Sequence, residues 1–77
     1  MNINIHNLSP TTSREDLLDC FEEYGVVLEV SVGTYTVEGK SRALGFVEML
    51  SDEQGQAAID GLQGKELAGN LLVINKE

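Results

Sequence analysis

Apolar and polar residues alternate with a period of two over Met1–Leu8, with Ile3 and Ile5 on one side and Asn2, Asn4 and His6 on the other. Period two marks a strand with one buried face. The run breaks at Asn7–Thr11, where Pro10 stops any regular element. The period then changes. Leu17, Leu18, Phe21 and Tyr24 recur three and four residues apart in one apolar stripe, which predicts an amphipathic helix. Thr12 with Glu15 has capping-box spacing at its start, Asp16 adds charge to the first turn, and Gly25 is a left-handed stop.

Val26–Val32 is rich in β-branched residues, and Leu28, Val30 and Val32 alternate with Glu29, Ser31 and Gly33, which predicts a second strand. Thr34–Ser41, with Gly39 inside it, reads as a loop, and a third strand follows over Arg42–Leu50. Ser51 with Gln54 makes a second capping-box spacing before Ala57, Ala58, Ile59 and Leu62. Gly55 weakens that helix by up to about 1 kcal/mol relative to Ala. Gly61 and Gly64 frame its end, Lys65–Asn70 connects, and Leu71–Asn75 forms a fourth strand with Leu72 and Ile74 on one side.

The order β-α-β-β-α-β predicts an α+β, ferredoxin-like sandwich, a four-stranded antiparallel sheet with two helices on one face. The other face of the sheet meets water, and function is expected there. A chain of 77 residues suffices for one domain, expected over residues 1–77, and not for two.

Composition narrows the chemistry. One cysteine, Cys20, excludes an internal disulfide, and its place in the helical stripe marks it as a buried structural thiol. With one histidine, His6, and no further Cys or His near it, the usual zinc ligands are lacking, so no metal or other cofactor is expected. The acids Glu15, Asp16, Asp19, Glu22 and Glu23 crowd a helix surface as a solvated face, and no nucleophile–base–orienter set can be assembled, so no enzyme is expected. No stretch approaches the roughly 20 apolar residues of a membrane span, and the N-terminus lacks the pattern of a signal peptide. A soluble protein of the cytoplasm, with no membrane partner, is the expectation.

Other users of this fold are disfavoured by their missing residues. Asn7–Ser13 holds no Cys-x-x-Cys pair for heavy metals and no arginine for an acylphosphatase-like phosphate cradle. The third strand, Arg42-Ala43-Leu44-Gly45-Phe46-Val47-Glu48-Met49, instead resembles the octapeptide of the RNA-recognition-motif (RRM) family, with Arg42, Gly45, Phe46 and Val47 matching and Ala43, Leu44 and Met49 departing. Ile3-Asn4-Ile5-His6-Asn7-Leu8 resembles the companion hexapeptide, with Asn4 departing. Phe21-Glu22-Glu23-Tyr24-Gly25 and Gly61-Leu62-Gln63-Gly64-Lys65-Glu66-Leu67-Ala68-Gly69 also look like the family's, so the resemblance covers the whole chain and is nearest to small single-domain bacterial RRM proteins.

The resemblance implies single-stranded RNA as partner, its bases stacked on aromatic side chains that project from the sheet. It places Asn4, His6, Glu29, Ser31, Arg42, Leu44, Phe46, Glu48, Leu71, Val73 and Asn75 on the open face. Of these, Asn4, His6, Arg42, Leu44, Phe46 and Asn75 are the candidate RNA contacts. The family's three stacking positions are Asn4, Leu44 and Phe46, and only Phe46 is aromatic. Loss of two stacks removes roughly 2–6 kcal/mol. A formal charge of −8, from thirteen acids against five cations, adds a second handicap, because phosphate neutralisation supplies much of nonspecific affinity. Weak RNA binding is therefore expected.

Each candidate has a plainer role. Arg42 could pair with Glu29 or Glu48 across the sheet, His6, Asn4, Asn75 and the loop Lys40 could be simply solvated, and Tyr35 could anchor a loop or stack a base. Phe46, Leu44, Leu71 and Val73 could also meet a protein partner or a second copy of the chain. With strand order 4-1-3-2, however, Asn4 and His6 would interrupt that apolar surface.

Overall fold

The computed structural model describes all residues, 1–77. Its elements are β1 (Asn2–Leu8), α1 (Arg14–Glu22), β2 (Val27–Val37), β3 (Lys40–Met49), α2 (Asp52–Leu62), β4 (Glu66–Leu67), β5 (Asn70–Leu71) and β6 (Val73–Lys76). The main sheet runs β2-β3-β1-β6, and β4 and β5 form a separate two-stranded hairpin. Every pairing in both sheets is antiparallel. This is the expected ferredoxin-like order, with the fourth predicted strand divided. Leu71 belongs to the small hairpin opposite Glu66, and only Val73–Lys76 joins β1. Between them Leu72 turns inward, its N–H donating to the Lys65 carbonyl at 2.8 Å while its own carbonyl accepts from Gly64 at 3.0 Å.

The two helices and the inward side chains of the strands enclose one cluster of fourteen buried apolar residues. Ile3 and Ile5 from β1, Leu17 and Phe21 from α1, and Val47 from β3 are fully buried, as period two and the helical stripe require. Tyr24 and Cys20 pack against this cluster half-buried. Burial pushes the Cys20 thiol above its ordinary range, Lys65 opposes this, and Glu23, Asp19 and Asp16 add to the rise, so the group is a poor nucleophile.

Three local expectations shift. First, α1 is capped by Ser13, one residue after the proposed Thr12. The Asp16 N–H donates to Ser13 Oγ at 3.1 Å and the Ser13 N–H donates to Asp16 Oδ2 at 3.0 Å, a complete capping box. Thr12 is buried instead, and its Oγ1 has no hydrogen-bond partner. Ser13→Ala is therefore expected to cost about 1 kcal/mol of stability. Thr12→Val, which removes an orphaned hydroxyl, is expected to be neutral or stabilising by up to about 1 kcal/mol. Urea unfolding followed by circular dichroism measures both.

Second, Thr34–Ser41 is no loop. β2 and β3 stay paired out to Val37 and Lys40, leaving only Glu38 and Gly39 in the turn. Both have positive φ, 50° and 76°, the backbone of a tight hairpin turn matched to strand twist. Third, β2 carries a bulge between Val27 and Glu29 that turns Leu28 outward, where it is 54% exposed in place of its expected inward position.

Both edges of the main sheet are capped by side chains. Arg14 Nε donates to the Val30 carbonyl on β2 at 3.0 Å. On β6, Gln63 Nε2 donates to the Ile74 carbonyl at 2.6 Å and Gln63 Oε1 accepts the Ile74 N–H at 2.9 Å. These bonds occupy backbone groups that an exposed edge would offer to another strand. No helix is long and apolar enough to cross a membrane.

Candidate nucleic-acid interface

The register of the sheet turns the list of open-face residues into rows. Cross-strand partners point to the same side, so each row can be read directly from the pairing. The central row is Ser31, Phe46, Asn4 and Asn75, because Ser31 pairs with Phe46, Phe46 with Asn4 and Asn4 with Asn75. Beside it lie Gly33 opposite Leu44, and His6 opposite Val73. Toward the hairpin, Tyr35 pairs with Arg42 and Val37 with Lys40, and at the far end Glu29 pairs with Glu48.

All six candidate contacts therefore share one face. Phe46 and Asn4 are half-buried, and His6, Arg42, Leu44 and Asn75 are exposed. Leu71, expected among the open-face strand residues, lies outside the main sheet on β5. β1 separates β3 from β6, so Asn4 and His6 stand between Leu44 and Phe46 on one side and Val73 on the other. The apolar surface is interrupted, unlike the contiguous patches that mark protein interfaces.

Charge is segregated along this face. Lys40 and Arg42 sit at the hairpin end with Glu38 of the turn, while Glu29 and Glu48 face each other at the opposite end. Arg42 is six residues from Glu48 on the same strand, about 20 Å at about 3.3 Å per residue. The proposed pairing of Arg42 with Glu29 or Glu48 is thus out of reach, and the single ion pair in the structure joins the Met1 amine to Asp52 at 3.4 Å. Eight of the thirteen acids lie on the helices or just beyond α1, at Glu15, Asp16, Asp19, Glu22, Glu23, Asp52, Glu53 and Asp60, on the layer behind the sheet. The formal charge of −8 overstates the repulsion at the open face.

At the base of the hairpin the face opens into a cleft of about 220 Å³ lined by Asn7, Leu8, Pro10, Tyr35, Ser41, Arg42, Ala43 and Asn70. Asn7 stands at its rim. That residue adopts φ 63°, the left-handed region that asparagine tolerates better than most, and the β1–β3 register slips there between Ile5 and Leu8. Asn7 Nδ2 donates to the Leu71 carbonyl at 2.7 Å, which ties β1 to the small hairpin. Asn7, Ser41 and Asn70 were invisible as site residues in the sequence, where Asn7 and Asn70 read as turn and connection. The Asn7-Leu8 of the hexapeptide pattern was the available signal.

Comparison with known proteins agrees with this geometry. A family model described as RNA recognition motif matches residues 3–73. RbpE of Nostoc sp. (strain PCC 7120 / SAG 25.82 / UTEX 2576), assigned as an RNA-binding protein, is 42% identical over 76 residues, covering 99% of this chain and 77% of RbpE. RbpA of Synechocystis sp. (strain ATCC 27184 / PCC 6803 / Kazusa), assigned likewise, is 42% identical over 76 residues, covering 99% of this chain and 75% of RbpA. Among solved structures, the RNA binding protein PG1 superposes with a TM-score of 0.87 at 35% identity, covering 100% of this chain and 93% of that one. The second RRM domain of the yeast poly(U)-binding protein Pub1 gives 0.81 at 32% identity, covering 96% and 89%. The match over nearly every residue, on a sheet that presents Phe46 from the family's third strand, establishes that the chain belongs to the RNA recognition motif family.

Proposed function

We propose that residues 1–77 act as one domain that binds single-stranded RNA across the open face of the sheet, with modest affinity. The observation that carries this is the central row, where Phe46 projects between Ser31 and Asn4 with Asn75 next in line. Phe46 offers one stacking surface to a base. Asn4, His6 and Asn75 make no hydrogen bond through their side chains within the chain, which leaves their donors and acceptors to base edges. Arg42, free of any ion pair, is placed for a phosphate. The RNA-binding assignment of RbpE and RbpA supports the same partner. The chemistry is binding, with no part for catalysis.

Titration of a fluorescein-labelled, randomised single-stranded RNA at low salt tests this. Phe46→Ala is expected to weaken binding by about 1–3 kcal/mol, or about 5- to 140-fold. With only Arg42 and Lys40 on the face, log affinity is expected to fall with log salt at a slope of about −0.7 to −1.4, as one or two neutralised phosphates require. Absence of binding at high micromolar concentration of folded protein sinks the proposal.

A further inference from the structure

The chain has four aromatic residues, two Phe and two Tyr. The fold engages two of them in packing between the layers or against α2. Phe21 is fully buried, and Tyr24 lies over Gly61 of α2, so close that a Cβ on Gly61 would stand 2.7 Å from the ring carbon Cζ. The remaining two, Phe46 and Tyr35, are both on the open face of the sheet. Tyr35 is 47% exposed, lines the cleft at the base of the hairpin and pairs directly with Arg42.

We propose that this cleft is a second nucleotide subsite, in which Tyr35 stacks one base and the side-chain amides of Asn7 and Asn70 meet its polar edge. The inference rests on the RNA-binding function proposed above and names where a second base goes. The cleft, at about 220 Å³, is smaller than the roughly 300–1,000 Å³ of drug-sized pockets and suits one base. Its chemistry suits a nucleotide: an aromatic face, a cation and neutral amides, with no acid among its lining residues. The Asn7 amide is already oriented, since its Nδ2 is held by the Leu71 carbonyl at 2.7 Å while Oδ1 has no partner. Electrostatics favours the same end of the face, because Lys40 and Arg42 there outnumber Glu38 of the turn, whereas Glu29 and Glu48 face each other at the other end with no cation. Arg42 is four residues from Phe46 on β3, about 13 Å at about 3.3 Å per residue, so one extended RNA strand can reach both aromatic platforms. Tyr35 thus replaces, from β2, a stacking surface that Leu44 does not provide.

The test uses the 77-residue chain, a fluorescein-labelled eight-nucleotide RNA of randomised sequence, and Tyr35→Thr, which suits a strand between Thr34 and Thr36. Thermal melts first establish that the variant folds as the parent does. Tyr35→Thr is expected to weaken binding by about 5- to 140-fold, and NMR shifts on adding the RNA are expected at the Asn7 and Asn70 side-chain amides. If the parent binds and Phe46→Ala weakens it while Tyr35→Thr stays within twofold and the two amides do not shift, the subsite is overturned and the proposed function stands. If the parent itself does not bind, both fall.

Discussion

Replacing Asn4 and Leu44 together by phenylalanine is expected to tighten single-stranded RNA binding by about 30- to 20,000-fold. The figure comes from two added stacking surfaces worth about 1–3 kcal/mol each, converted at about 1.4 kcal/mol per decade. The geometry permits it. Asn4 is paired with Phe46 across β1 and β3, and Leu44 lies two residues from Phe46 on the same side of β3, so the new rings would join Phe46 as neighbours. Asn4 makes no side-chain hydrogen bond whose loss would leave a buried partner unsatisfied, and Leu44 is 41% exposed, so neither change disturbs the core. Fluorescence anisotropy on the parent, the two single variants and the double variant measures the gain. A double variant that binds no more tightly than the parent would show that RNA does not lie along this row. The same experiment tests whether the two absent stacking residues set the modest affinity proposed for the parent.

The second large effect concerns Gly45, at a position the family pattern fills with glycine or alanine, where α1 packs closely on the sheet. A Cβ at this position would stand 2.6 Å from Leu17 Cδ2 and 3.1 Å from Leu8 Cδ1. Leu17 is fully buried and Leu8 nearly so, and both side chains must shift to admit a branched residue. Gly45→Val is therefore expected to cost about 1–3 kcal/mol or more through overpacking. For a domain of this size each kcal/mol lowers Tm by on the order of 4–8 °C. Gly33 is the control. It sits one strand away on the open face, opposite Leu44, and has nothing within 4 Å of its would-be Cβ. Gly33→Val is expected to be neutral or stabilising, since a β-branched residue suits an exposed strand position. Equal losses at the two sites would refute the packing argument. α1 approaches the sheet closely over Gly45, where the nearest side-chain atom is Leu17 Cδ2.

Most of the architecture was legible in the chain itself. Periods of two and near 3.6 do not depend on context, so Ile3 and Ile5, Leu17 and Phe21, and Val47 were assignable to the core from their spacing alone. The same alternation put Asn4, His6, Arg42, Leu44, Phe46 and Asn75 on the sides of their strands away from the core residues, and the family resemblance identified those sides as the open face. Three features escaped. Thr12 and Ser13 are chemically similar caps at adjacent positions, and only the direction in which the chain enters α1 selects between them. The Thr34–Ser41 segment looks polar because both strands there run past the helices and are solvated on both faces, which removes the alternation that marks a strand. Leu28 turned outward because a bulge adds one residue to β2, and a one-residue slip exchanges the two faces.

The cleft belongs to a different class. Asn7 and Asn70 are 63 residues apart in the chain and Tyr35 lies far from both, yet all three line one concavity. No local pattern records that neighbourhood, since it arises from strand order, from the φ 63° backbone of Asn7 and from the register slip that it introduces. The amino-acid sequence alone determined the element order, the buried set, the family motif and the shortage of stacking aromatics, because these depend on residue type and spacing. The tertiary structure decided that Arg42 is free of the acids, that Tyr35 shares a face with Phe46, and that negative charge is concentrated behind the sheet. These depend on which strands are neighbours and on their register, distances that only the assembled sheet defines.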